Sequence, residues 1–193
     1  GDDFKVVRVG GQFIHHLNGQ WLSYKDETGT FGPFQMPLLG AFQADNFGMA
    51  FRAGRSTSNL LRIPWDEPKI SQALANSRWA GRLQIREFSG REWILDGSHN
   101  EAGMAAFVNA LRETLIRRPL RGVVGFGKNK DYGEMLKILF PVIDTITLVR
   151  SPHPEAVNPD ELRRFVPKEI PSVVFHDFSK VRPHILKSLQ NES

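Results

Sequence analysis

The chain has 193 residues, 40% of them hydrophobic and 24% charged, with a formal net charge of +4 and no cysteine. That composition is typical of a folded globular chain, and it excludes both a disulfide framework and a thiolate metal site. No apolar run approaches the ~20 residues that a membrane-spanning helix needs. The opening GDDFKVVRVGG lacks a basic segment followed by a long apolar one, so no signal peptide is expected. Basic residues are interleaved with acids and form no long run, which argues against nucleic acid as a partner.

In chain order, FKVVRV, QFIHHL and QWLSYK read as short β-strands rich in β-branched and aromatic residues. The Asn18-Gly19 pair between the last two signals a tight hairpin. His15 and His16 are neighbours in a strand, point to opposite faces and do not readily share a metal. TGTFGPFQMPLLG, with two prolines, reads as loop, and Gln43 to Ala53 as a short packed helix. KISQALANSRW reads as a second helix with Pro68 near its start.

Near Trp79 the character changes. EWILD, RGVVGF, DTITLV and SVVFHD read as strands. Between and after them Glu101 to Arg117, Tyr132 to Phe140, Pro159 to Phe165 and Lys180 to Gln190 read as helices. This alternation predicts an α/β fold, a Rossmann-like and mainly parallel sheet flanked by helices. A β-rich and helical segment precedes it, with domains over 1–78 and 79–193.

The stretch WILDGSHNEAG then draws the eye, because ligands of open parallel sheets sit beyond the carboxyl ends of strands, near helix N-termini. Asp96 falls at such an end, Gly97 permits a sharp turn, and Ser98 with Glu101 fits a capping box. The box leaves Asp96, His99 and Asn100 unexplained. A carboxylate there suits a ribose hydroxyl, or the orientation of a phosphate-binding side chain. VVGFGKNKDYG has neither the order of a phosphate loop nor the spacing of a dinucleotide fingerprint. Arg82, taken alone, is a surface arginine after a linker.

Taken in order, the pieces resemble one family. PLLGAFQADNFGMAFRA is similar to the LPLxGxHQxxNAAxALAA stretch of folylpolyglutamate and dihydrofolate synthases, a branch of the Mur-type ligases. WAGRLQ resembles their WPGRLE, WILDGSHNEAG their xxLDGAHNPxA, and GVVGFGKNKDYGEML their xVxGxxxDKDxxxML. SPHPEAVNPDEL sits where the family has PRAxxxxEL, and GDDF resembles the GxDF that follows the large ATPase core. The resemblance implies that residues 1–78 close the central ATPase domain and 79–193 form the C-terminal domain. It implies ATP-dependent addition of L-glutamate to a carboxylate of folate or dihydropteroate, through an acyl phosphate, by a cytoplasmic and monomeric enzyme.

By motif, Asn46 is implied at the adenine end of ATP, Arg82 at the phosphates, and Asp96 on the nucleotide. His99 is implied to line the cleft with a catalytic role, as is Arg82, while Lys130 and Asp131 face the incoming amino acid or the cleft wall. Phe42, Ala80, Ser98, Glu101, Asn129 and Glu155 depart from the family pattern, and Glu155 reverses the charge of an arginine. The family's GTNGKGS-like loop, its metal-binding Glu and His and its carbamylated lysine are absent. The chain is therefore expected to be part of a longer protein, inactive alone, with no ligand for Mg2+. A different Mur-type ligase, acting on a peptidoglycan precursor, and a non-catalytic nucleotide-binding module are the rival readings.

Overall fold

A computed structural model describes residues 5–8, 19–113 and 119–190. The QFIHHL strand with His15 and His16, Asn18 of the hairpin pair, the GDDF opening and the end of the Glu101–Arg117 helix lie outside them. Two compact units emerge, the first ending at Gly97 and the second beginning at Ser98.

The first unit is built on three antiparallel strands, β1 (Lys5–Arg8), β2 (Gln20–Asp26) and β3 (Gly29–Met36), in that order. β3 is the stretch read as loop. Its one proline, Pro33, does not prevent a strand because β3 lies at the edge of the described sheet, where a residue without an N–H loses no ladder bond. Between the pairs Leu22↔Phe34 and Tyr24↔Phe31 the register slips, and Gly32 and Pro33 bulge outward there. Gly32 has φ +95, and its N–H donates to Glu67 Oε1 at 3.1 Å. Helix α1 (Ala41–Leu60) runs well past the expected Ala53. Gly54 does not end it, because the ring of Trp65 packs over that position.

The core between sheet and helix is aromatic. Phe51 lies 4.6 Å from Tyr24, 5.4 Å from both Phe34 and Phe47, and 5.1 Å from Trp65, ring centre to ring centre. Such tilted and edge-on pairs add to the burial of the rings themselves. α2 (Glu67–Ala75) begins where expected, with Asp66 accepting from the Lys69 N–H at 3.1 Å and Pro68 in the first turn.

EWILD is not a parallel strand. It forms β5 (Arg91–Leu95), which pairs antiparallel with β4 (Gln84–Phe88) in a separate two-stranded sheet. The missed signal is Ser89-Gly90. Both residues have positive φ, +54 and +69, as a two-residue hairpin turn requires.

The second unit holds the parallel sheet, β6 (Arg121–Val124), β7 (Thr145–Val149) and β8 (Ser172–Phe175), in the order β6-β7-β8. Helices α3 (Glu101–Glu113), α4 (Tyr132–Leu139), α5 (Pro159–Arg163) and α6 (Val181–Gln190) alternate with these strands as expected. Met104, Val108 and Leu111 recur on the buried side of α3. Ile146 and Leu148, at alternate positions of β7, are almost fully buried, as a central strand covered by helices demands.

Candidate functional site

The segment between α2 and β4 is fixed by hydrogen bonds on either side of Trp79 and Ala80. At the end of α2, Asn76 Nδ2 and Ser77 Oγ donate to the carbonyls of Gln72 and Ala73. Arg78 Nη1 donates to those of Ala75 and Ser77. A cation there also suits the negative end of the helix dipole. Gly81 then turns with φ +69; its N–H donates to Gln84 Oε1 at 3.1 Å, and its carbonyl accepts from the Gly97 N–H at 2.7 Å.

Leu83 follows with φ +43 and only 3% of its surface exposed. A leucine in the left-handed region costs about 1–3 kcal/mol and persists only where its surroundings impose it. Here burial of the side chain imposes it, together with one hydrogen bond: the Leu83 N–H donates to Asp96 Oδ2 at 2.8 Å.

Arg82 stands between these two anchors. It is half-buried, and it makes no hydrogen bond or ion pair among the described residues. Its guanidinium, with no protein acceptor among the described residues, keeps its planar fork of donors open to a phosphate or carboxylate, which it can hold bidentately. The chemistry of this donor fits a nucleotide phosphate. Among the described residues no three carboxylates or imidazoles converge as a metal site.

Arg82 and Asp96 are therefore brought together, through a backbone link between them. One oxygen of the half-buried Asp96 is committed to the Leu83 amide. Sequence reasoning passed over Gly81, Leu83 and Gln84; the GRLQ run marks a turn only once the hairpin behind it is known. Asn46 is exposed on α1, and its Nδ2 donates to Gln43 Oε1 at 3.1 Å within the same helix.

In the second unit His99 is exposed just before α3. The capping box does not mark the helix start. α3 begins at Glu101, so the capping position belongs to Asn100, whose Oδ1 accepts from the Gly103 N–H at 2.7 Å and whose carbonyl accepts from the Met104 N–H at 2.9 Å. Asn100 thereby acquires a structural role that sequence reading left unassigned. Asp131 caps α4, accepting from the Glu134 N–H at 3.2 Å, and Lys130 beside it is exposed. The loops after β6 and β7 are joined by backbone bonds, Lys128 N–H to the Glu155 carbonyl and Val157 N–H to the Phe126 carbonyl, each 2.8 Å. Lys130 thus extends from a loop anchored at the carboxyl end of the parallel sheet.

A parallel sheet flanked by helices defines the second unit as an α/β fold, and the first unit carries the pinned turn that displays Arg82. More narrowly, the chain belongs to the Mur ligase, glutamate ligase domain family, whose profile matches residues 81–192. Among relatives, the folylpolyglutamate synthase of Lacticaseibacillus casei is 29% identical over 161 residues, covering 77% of this chain and 37% of that protein. The dihydrofolate synthase/folylpolyglutamate synthase of Bacillus subtilis is 24% identical over 140 residues, 72% of this chain and 32% of that one. The solved folylpolyglutamate synthase of Thermotoga maritima superposes with a TM-score of 0.75 at 26% identity, over 91% of this chain and 40% of its own. The Mycobacterium tuberculosis enzyme complexed with ADP shares the fold, with a TM-score of 0.75 at 24% identity over 91% of this chain and 39% of its own. The chain therefore spans less than half the length of these relatives.

Proposed function

We propose that this chain serves an ATP-dependent ligase that joins L-glutamate to a carboxylate of folate or dihydropteroate. ATP, as substrate, transfers its terminal phosphoryl group to the carboxylate, giving an acyl phosphate and ADP. The amino group of glutamate attacks the acyl carbon, phosphate leaves, and an amide forms. Such chemistry demands positioning and neutralisation of charge on the transferring phosphoryl group. The observation that carries this reading is the half-buried Arg82, without a protein acceptor among the described residues, on a turn pinned by Asp96 and Gly97. Arg82 contacts the phosphates. Asp96 acts as a positioning residue that fixes Leu83, and through it Arg82, whatever it also gives to the nucleotide.

Asn46 takes the adenine end, His99 a place beside the reacting groups, and Lys130 the carboxylates of the amino acid or folate tail, with Asp131 holding the start of α4 beneath it. Residues 1–78 are read as the close of an ATPase domain and 79–193 as the glutamate ligase domain. The β4–β5 hairpin lies on the far side of that boundary from the compact unit it packs with. The reading gives this chain no part in holding Mg2+. The relatives named above are folate ligases, which favours this substrate class over a peptidoglycan precursor.

The test is kinetic. In a catalytically complete protein carrying this chain, Arg82→Ala should lower kcat/KM for ATP by about 2 kcal/mol or more, the loss expected for a charged contact made in the transition state. Unchanged kinetics reject the assignment.

A further inference from the structure

Trp79 is 64% exposed, and its indole has neither a ring neighbour nor a hydrogen bond within the described residues. Of the other tryptophans in the first unit, Trp21 is 40% exposed, whereas Trp65 and Trp93 are better placed. Trp65 stands edge-on to Phe51 at 5.1 Å; Trp93 stands edge-on to Phe88 and donates Nε1–H to the Phe88 carbonyl at 3.2 Å. Leaving the largest side chain in water forgoes the burial that normally justifies it. Nor does a slack backbone explain the exposure. The capped end of α2 lies just before Trp79, and the Gly81–Leu83 anchors lie just after it. A strained, tightly held turn thus presents a bare indole and a guanidinium without a protein acceptor among the described residues three residues apart, a separation of at most about 10 Å even in extended chain.

We infer that Trp79 is the stacking platform for the base of the nucleotide whose phosphates Arg82 contacts, an inference that rests on the ligase reading above. The complementary ligand has a flat heteroaromatic ring at one end and anionic charge at the other. Every base offers a π face, and stacking needs no hydrogen-bond pattern. An indole with two side-chain torsions loses little freedom on binding. A folate offers a similar pairing of ring and anion, so the test separates the two.

Calorimetric titrations of a catalytically complete protein carrying this chain with ATP, inorganic tripolyphosphate and folic acid provide that test. They compare the parent sequence with Trp79→Ala, Trp79→Phe and Arg82→Ala. Trp79→Ala should weaken ATP about tenfold, within the range of base–aromatic stacking, and leave tripolyphosphate unchanged. Trp79→Phe should restore most of the loss, and Arg82→Ala should weaken both phosphate ligands. If Arg82→Ala weakens both but Trp79→Ala leaves ATP untouched, the stacking role is wrong and the ligase reading survives. Equal loss of ATP and tripolyphosphate in Trp79→Ala reduces Trp79 to a structural residue and also overturns the inference. A loss confined to folic acid overturns it in favour of the other ring. If neither phosphate ligand binds the parent sequence, the ligase reading falls and the inference falls with it.

Discussion

Asp96 accepts the amide proton of a leucine whose backbone few leucines adopt, and removing that acceptor tests how the turn is held. Asp96→Ala should strand the Leu83 N–H and cost about 1–2 kcal/mol, the lower part of the range for a bond to a charged group because the pair is only half-buried. Asp96→Asn keeps an oxygen that can accept, and should cost less. Hydrogen exchange at the Leu83 amide reads this directly: fast in Asp96→Ala, close to the parent rate in Asp96→Asn. Equal protection in all three proteins would show that burial alone holds the turn. Asp96 and Arg82 were legible as candidates from their motifs. Their connection was not, because it runs through a backbone amide 13 residues from the carboxylate, and no spacing rule covers such a link. Asn100 was obscured for the opposite reason, since a good capping sequence at Ser98 to Glu101 drew attention two residues too early.

Among elements, those of the second unit were read almost completely. Strands that end in turn residues and helices with a buried stripe declare themselves over short windows. The first unit was harder. β3 carries Pro33 and two glycines, Gly29 and Gly32, and becomes a strand because β2 pairs with it and α2 packs nearby. The β4–β5 hairpin depended on Ser89-Gly90, a weaker turn signal than an Asn-Gly pair. α1 was cut short at Ala53, just before Gly54, although the helix runs on to Leu60. That glycine yields a prediction, because it sits in regular helix and a Cβ there would meet the Trp65 ring at 3.6 Å, an ordinary contact. Gly54→Ala should stabilise the chain by about 0.5–1 kcal/mol through lost unfolded-state freedom, measured as a higher urea midpoint with unchanged slope. A lower midpoint would mean that Trp65 cannot accommodate even a methyl group.

At the scale of the whole molecule, the two units differ in what acid does to them. In the first, Asp26 ties the β2–β3 turn to α1. Its carboxylate accepts from the Thr28 hydroxyl at 2.6 Å and the Thr28 N–H at 2.9 Å, and it pairs with Arg55 Nη1 at 2.8 Å. The Thr28 hydroxyl, foremost, holds Asp26 below the usual carboxylate range, with the Thr28 amide and Arg55 acting the same way against the opposing effect of burial. Arg55 also lies 4.2 Å over the Phe31 ring, so the ion pair continues into the aromatic core. In the second unit Asp177 is lowered by the Ser179 hydroxyl and amide, but both contacts are local to one exposed turn. A carboxylate whose folded pKa is depressed stabilises the fold above its unfolded pKa, near 3.9, and that contribution disappears as pH falls through the folded value. Below about pH 4, acid should therefore loosen the first unit before the second. The sequence supplies the probe, because all four tryptophans, Trp21, Trp65, Trp79 and Trp93, precede Gly97. On acidification the tryptophan emission should shift at a higher pH than the far-ultraviolet circular dichroism, which reports both units. Asp26→Asn should be less stable at neutral pH, with its emission shift less dependent on pH below 4. Coincident transitions in the parent protein, or an unaltered profile in Asp26→Asn, would show that the Asp26–Thr28–Arg55 link does not control how the first unit responds to acid.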